Sequence, residues 1–419
     1  MFGQLFPIMA LISGSAFLML AGGINGLILP IRGSAEGFSA FSLGLLGTGW
    51  ALGYVVGCLQ VPQIVTRVGH VRSFGVMAGV AVISVLLSLL IVHPGAWIPL
   101  RALAGFSVAG AAMVVESWIN ERTEPAYRGR VFATYTMVNL GAITAGQLML
   151  IFGDSAGYFF FVLAAVFYAC ALFPTALSTS AAPRPLVKPK LDLKELWRNS
   201  PIAVVAIFLV GMTNSSFGTL AAVYGQQIGL NVSSIALLVS LSILMGALFQ
   251  LPVGWLSDRT DRRVVLIGLA LIAAVVDLFF LINQPRDVAT VLIGSAIFGA
   301  MIFAMYPVVI AHANDHADPG SFLKISSGLL LIFGAGSITG PLLGGGLMAL
   351  SGPDSLFAAT LLSHAGTAAF AAWRMTKRAA VADADKGDFV AISTVRINTP
   401  EAASWDRRSE EEEEESEQP

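Results

Sequence analysis

Continuous apolar runs separated by short polar breaks occupy almost the whole of this 419-residue chain. Twelve fall near 7–30, 43–65, 73–93, 97–119, 131–153, 157–177, 201–224, 233–256, 264–283, 288–311, 323–350 and 354–375. Each comes close to the roughly 20 residues that an α-helix needs to cross a hydrocarbon core about 30 Å thick. Strands of a membrane barrel would alternate apolar and polar positions. These runs are unbroken and rich in Gly and Ala, so they predict helices. The first run is as long as the others and lacks a clear basic leader and cleavage site, so it is expected to be a retained span. The expected fold is an all-α integral membrane protein with twelve transmembrane helices.

Composition agrees. The chain is 56% hydrophobic and 12% charged, about half the ~25% charge share of soluble domains. The breaks are where the basic residues lie. With both termini inside, segments 66–72, 120–130, 178–200, 257–263, 312–324 and 374–378 hold seventeen Lys and Arg, against Arg32 and Arg286 on the other side. The positive-inside rule then predicts a multi-pass protein of the cytoplasmic (inner) membrane with both termini cytoplasmic. The longest interior break mixes Pro, Lys and Arg with an amphipathic patch, LDLKELW, and divides six runs from six. The expected organisation is an N-terminal six-helix bundle over 1–177, a cytoplasmic linker over 178–200, a C-terminal six-helix bundle over 201–378, and a disordered acidic cytoplasmic tail over 379–419. Net charge of −2 gives no reason to expect nucleic acid, and Cys58 and Cys170 form no CxxC pair, which favours small core residues over a disulfide or metal site.

The two halves resemble each other. GGIN at 22–25 matches GMTN at 211–214, GFSAFSLGLL at 37–46 matches GLNVSSIALL at 229–238, TRVGHVR at 66–72 matches DRTDRRV at 258–264, and GAITAGQL at 141–148 matches GSITGPLL at 336–343. The order is the same and the offset nearly constant. Duplicated bundles of this kind are a transporter architecture with the substrate path between the halves.

The most specific motif is QLPVGWLSDRTDRR at 250–263. It resembles the loop signature of the major facilitator superfamily, G-x-L-x-D-R-x-G-R-R, through Gly254, Leu256, Asp258, Arg259, Arg262 and Arg263, with Asp261 where the family usually has its second Gly. In the first half the same loop is eroded: Pro62 and Thr66 replace the glycine and aspartate, while Arg67, Gly69 and Arg72 survive. The resemblance implies the major facilitator fold, two pseudo-symmetric six-helix bundles working by alternating access, and a cytoplasmic latch of Gly254, Asp258, Arg259, Arg262, Arg263 and Arg67. Gly254 is expected to let two helices approach closely, and Asp258 to accept hydrogen bonds from a helix N-terminus or an arginine. The segments VVES at 114–117, RGR at 128–130, MYPVVIA at 305–311 and the MVN and GQL of span 5 are similar to the YcaD-type bacterial branch, which brings no substrate with it.

Arg101, in WIPLRALAGFSVAG, is similar to the family's arginine in span 4, a position used in proton coupling or substrate contact. Snorkelling to nearby water is the alternative. Glu116 closes the same apolar run, fifteen residues and about 22 Å further along the axis, so the two form no direct ion pair. Both are candidates for coupling or gating. Asn25, Gln147, Asn214 and Tyr306 are candidate cavity residues, with interhelical hydrogen bonding as the plainer role. GSITGPLLGG at 336–345 is expected to serve close packing and a kink. Asp277, on a peripheral span, is expected to be protonated or to snorkel, and HANDHAD at 312–318 to be a solvated loop rather than a metal site.

The expected function is a secondary active transporter moving a small solute across the lipid bilayer, with protons as the candidate coupling ion. A facilitator or a non-transporting membrane sensor on the same fold is the alternative. No phosphate-binding G-x-x-x-x-G-K-[ST] stretch and no catalytic constellation occurs, so neither an enzyme nor a cofactor is expected, and a monomer is.

Overall fold

The computed structural model describes residues 8–124, 127–176, 192–317 and 321–379, together with 381, 386, 387, 389, 399 and 400. Eleven of its helices are long and apolar enough to cross a membrane. In order the long helices are α1 (Met9–Ala35), α2 (Ala40–Val68), α3 (His70–Leu90), α4 (Pro94–Arg122), α5 (Arg128–Leu148), α6 (Phe159–Cys170), α7 (Pro201–Gln227), α8 (Val232–Arg259), α9 (Arg262–Asn283), α10 (Val288–Asn314), α11 (Phe322–Ser351) and α12 (Leu356–Met375). Most run a few residues past the apolar stretch that announces them, because polar end residues continue the same hydrogen-bond ladder.

The sixth run departs from expectation. A single helix over 157–177 is predicted, but α6 ends at Cys170 and a short helix, Leu172–Ala176, follows. Pro174 supplies no N–H for the carbonyl of Cys170 and its ring crowds that group, which breaks the ladder there. Several helix starts are written in the short breaks. Ser200, Asn231 and Asp287 each accept a hydrogen bond from the backbone N–H three residues on, at 2.8–3.1 Å, capping α7, α8 and α10. The LDLKELW patch forms a short helix, Leu193–Asn199, capped by Asp192. Residues 177–191 of the linker and the acidic end, 401–419, lie outside the described residues.

The chain divides into two compact units, residues 1–32, 49–190 and 398–419 in one, and 33–48 and 191–397 in the other. In the first unit a Cβ at Gly23 would overlap the Ile143 carbonyl and one at Gly146 the Leu20 carbonyl, so α1 and α5 touch backbone to backbone. In the second unit Gly211 meets Phe333, and Gly336 and Gly340 meet Phe208 and Met212, which makes the same seam between α7 and α11. Gly53 and Gly105 bring α2 against α4, as Gly246 and Gly299 bring α8 against α10. α3 packs on α4 and α6, and α9 packs on α10 and α12. The glycine-bearing repeats GGIN/GMTN and GAITAGQL/GSITGPLL are therefore the contact seams of two equivalent helix pairs. The first turns of α2 belong to the second unit, where Gly44 bears on the Pro341 carbonyl and Thr48 donates to the Ile338 carbonyl at 2.8 Å.

A Cβ at Gly53 would collide with the Ala102 backbone, whereas at Gly26 it would meet nothing within 4 Å. Gly53→Ala is expected to destabilise the protein by about 1–3 kcal/mol through overpacking, and Gly26→Ala to leave it unchanged or slightly better. Heating detergent-solubilised samples and measuring the monodisperse fraction separates the two.

Candidate functional site

Two polar clusters stand out against the apolar helices, one in each unit. In the first, Glu116 lies near the end of α4 and is buried. The Tyr135 hydroxyl of α5 donates to its Oε1 at 3.0 Å, and the Thr399 hydroxyl donates to its Oε2. Ser15 of α1 donates to Asn139 of α5 at 2.8 Å, one turn from Tyr135. A carboxylate from α4, a phenol and an amide from α5 and a hydroxyl from α1 thus meet at one place. Sequence reasoning singles out Glu116 and misses Tyr135, which it could have paired through the RGR-to-MVN stretch that carries it. Arg101 is half-buried on α4, fifteen residues before Glu116 on the same helix.

The candidate cavity residues are all buried: Asn25 on α1, Gln147 on α5, Asn214 on α7 and Tyr306 on α10. The Asn25 Oδ1 and both polar atoms of the Asn214 amide have no hydrogen-bond partner. That argues against the interhelical hydrogen-bond role for these two, since buried polar groups are ordinarily satisfied by protein or water. Tyr306 packs its ring edge-on against Phe333 of α11, 5.0 Å between centroids.

In the second unit the loop motif forms an ionic cluster. Arg262 is 2% exposed. Its Nε donates to Asp315 Oδ2 at 2.6 Å, and its Nη1 donates to Asp258 and to Ser257, both at 3.0 Å. Its Nη2 reaches the Gly387 carbonyl. Arg263 forks onto Asp261, with Nη2 to Oδ2 at 2.6 Å. Asp261, which replaces the family's glycine, is the N-cap of α9 and accepts from the Arg263 backbone N–H at 2.9 Å. Burial pushes the Asp261 carboxyl up, but the Arg263 bonds outweigh it and hold the group below the usual carboxylate range. Arg259 is exposed and lies over the Trp255 ring, 4.5 Å from its centroid. Arg67 is exposed on α2. Arg262 pairs with Asp258 and Arg263 with Asp261, whereas Arg259 lies on the Trp255 ring.

Two expectations change here. Gly254 faces the ring of Phe389 rather than a second helix. The HANDHAD segment is not a solvated loop at its start: α10 continues to Asn314, His312 is buried, and Asp315 is the main anionic partner of Arg262. His316 packs on His312 with 4.6 Å between centroids, and burial holds its imidazole below its ordinary value. Among the described residues no group of three or more His, Cys, Asp or Glu is placed to hold a metal. The tail is not wholly detached either: Lys386 donates to the Thr260 carbonyl at 2.8 Å and the Gly387 N–H to Asp315 at 3.1 Å.

Membrane-length helices, equivalent glycine seams in two units and buried polar groups inside them define a multi-pass membrane protein. The sequence matches the Major Facilitator Superfamily over residues 11–246 and again over 203–400, so the chain belongs to that family. It is 25% identical over 346 residues to the uncharacterized MFS-type transporter YcaD of Escherichia coli O139:H28 (strain E24377A / ETEC), covering 80% of this chain and 87% of that protein. Among solved structures it is similar to the nucleoside transporter NupG, with TM-score 0.70, 12% identity, and 88% of this chain and 98% of that one covered. It is also similar to a D-xylose-proton symporter, with TM-score 0.62, 16% identity, and 87% and 96% covered. These structural likenesses establish the fold.

Proposed function

We propose that the protein is a secondary active transporter of a small polar solute, working by alternating access in the cytoplasmic membrane with both termini in the cytoplasm and coupled to protons through Glu116. The buried Glu116 carboxylate, which accepts hydrogen bonds from the Tyr135 and Thr399 hydroxyls between membrane-length helices, is the observation that carries this reading. An ionised carboxylate inside a span is costly, and taking up a proton relieves that cost. Asn25 and Gln147 in the first unit and Asn214 and Tyr306 in the second are the proposed solute-binding residues, and they suit a solute recognised by hydrogen bonds rather than by charge. Six helices in each half, with α6 completing the first set, and action as a monomer belong to the same proposal. Arg101, half-buried at the far end of α4 from Glu116, is its second charged group, and Gly254, Asp258, Arg259, Arg262 and Arg263 in the second unit, and Arg67 in the first, are the proposed latch residues of the cytoplasmic side.

An untargeted metabolite comparison of cells lacking and overproducing the protein nominates the solute. Purified protein in proteoliposomes then tests the coupling. With one proton per neutral solute, accumulation should change about tenfold for each unit of imposed pH gradient. Transport that ignores the gradient would leave a facilitator, and an unchanged metabolite profile in both strains would leave a sensor.

A further inference from the structure

Asp277 lies in the interior of α9, where sequence reasoning expects a protonated or snorkelling side chain. It does not snorkel, being 0% exposed. Its Oδ1 accepts the hydroxyl of Thr360 at 2.6 Å, and its Oδ2 lies 2.6 Å from Nδ1 of His364. Both partners stand one turn apart on α12, and His364 is 1% exposed. The far imidazole nitrogen, Nε2, is buried with no hydrogen-bond partner. The ring sits edge-on to Phe298 of α10, 5.6 Å between centroids, and Phe298 in turn packs on Phe217 of α7. Phe280 and Phe357 stack nearby at 4.3 Å.

No cation other than the imidazole is hydrogen-bonded to this carboxyl among the described residues. The other ionisable groups on α7, α9, α10, α11 and α12 and at their ends include Tyr224 on α7, Tyr306 on α10, the Arg286–Asp354 pair at one end, and His312, Arg262, Arg263, Lys324 and Arg374 at the opposite end. Charge balance then decides the state of the pair. With no proton between them, Asp277 and His364 carry a net charge of −1 in an apolar, fully enclosed place. With two they carry +1. With one proton they are neutral, as a carboxylic acid beside an imidazole or as a carboxylate beside an imidazolium. An uncompensated buried charge is far costlier than either neutral form. In both neutral forms the hydrogen on Nε2 points toward the aromatic layer, and the proton belongs to the pair rather than to either residue.

We infer that Asp277 and His364 form a proton-binding site in the second unit, distinct from Glu116 and occupied by one proton in the folded protein. The site holds this proton at pH 8, where a free aspartate and a free histidine carry none, with ordinary values near ~3.9 and ~6.5. It does not depend on transport being proton-coupled, and the experiment that tests it contains no transport.

The full-length protein in detergent, in weakly buffered solution at pH 8, is denatured while a pH-indicator dye counts the protons released. Every other group cancels between closely matched variants. Wild type is expected to release one proton per chain more than Asp277→Asn, in which a neutral amide faces a neutral imidazole. His364→Gln is expected to release as many as wild type, because Asp277 left alone in the same enclosure stays a neutral acid. Should Asp277→Asn fail to give a monodisperse protein, the Asp277→Asn/His364→Gln double variant replaces it with the same expected deficit of one. Equal release from wild type and the variant lacking the carboxyl overturns the inference.

Discussion

Replacing Arg262 with Gln is expected to cost about 3–5 kcal/mol, the range seen when one partner of a buried ion pair is removed. Three features put the substitution at the upper end of ordinary effects. The guanidinium is almost wholly enclosed, at 2% exposure. It is the cation facing Asp315, whose side chain is also 2% exossed to solvent in its ion pair at 2.6 Å. It also bonds Ser257 and Asp258 across the connection between α8 and α9 and the Gly387 carbonyl of the tail. A glutamine leaves Asp315 as a buried charge without its cation. Arg262→Lys is not expected to restore stability, because a point ammonium cannot reproduce the fork that serves several acceptors. Arg259→Gln, on an exposed arginine lying over Trp255, should cost no more than about 1 kcal/mol. Thermal unfolding followed by tryptophan fluorescence separates these cases. An Arg262→Gln protein that melts with wild type would show that the cluster is not what holds this end of the second unit.

How far the sequence reveals this molecule depends on the range of the interaction. Apolar runs report helices directly, since each span satisfies its own backbone and must be apolar along its length. Repeated glycines report the seams α1·α5 and α7·α11, because a backbone contact tolerates no side chain. The loop motif announces Asp258, Arg262 and Arg263, whose pairings with one another or with Asp261 are local in the chain. It does not announce Asp315, which lies 53 residues from Arg262. Tyr135 is 19 residues from Glu116, and His364 is 87 from Asp277. No periodicity or spacing links such partners; the helix packing creates them. Pro174 stands in the sixth run, but apolar character alone sets a span and does not register the break a proline makes in its hydrogen-bond ladder. Asp277 shows the limit most clearly. A lone charge on an apolar helix calls for a partner, yet which residue supplies it depends on the facing of α9 and α12.

The second large effect is expected from Glu116→Gln. Glutamine keeps the length and shape of the side chain and can still accept from Tyr135, so the helices around it should remain assembled and the thermal stability close to wild type. What it removes is the exchangeable proton. If Glu116 couples solute movement to protons, the variant should lose at least tenfold of the solute accumulation driven by a one-unit pH gradient in proteoliposomes, while exchange of labelled for unlabelled solute at equal pH continues. Tyr135→Phe provides the companion measurement. Removing the hydroxyl that donates to Oε1 at 3.0 Å takes a hydrogen bond from the ionised form and so favours protonation of the carboxyl. The pH dependence of gradient-driven transport should therefore move to higher pH in Tyr135→Phe and vanish in Glu116→Gln. Gradient-driven accumulation that survives Glu116→Gln unchanged would move the coupling away from this carboxylate. A loss of exchange together with accumulation would instead make Glu116 a gating residue, because the same helices would then fail to move at all.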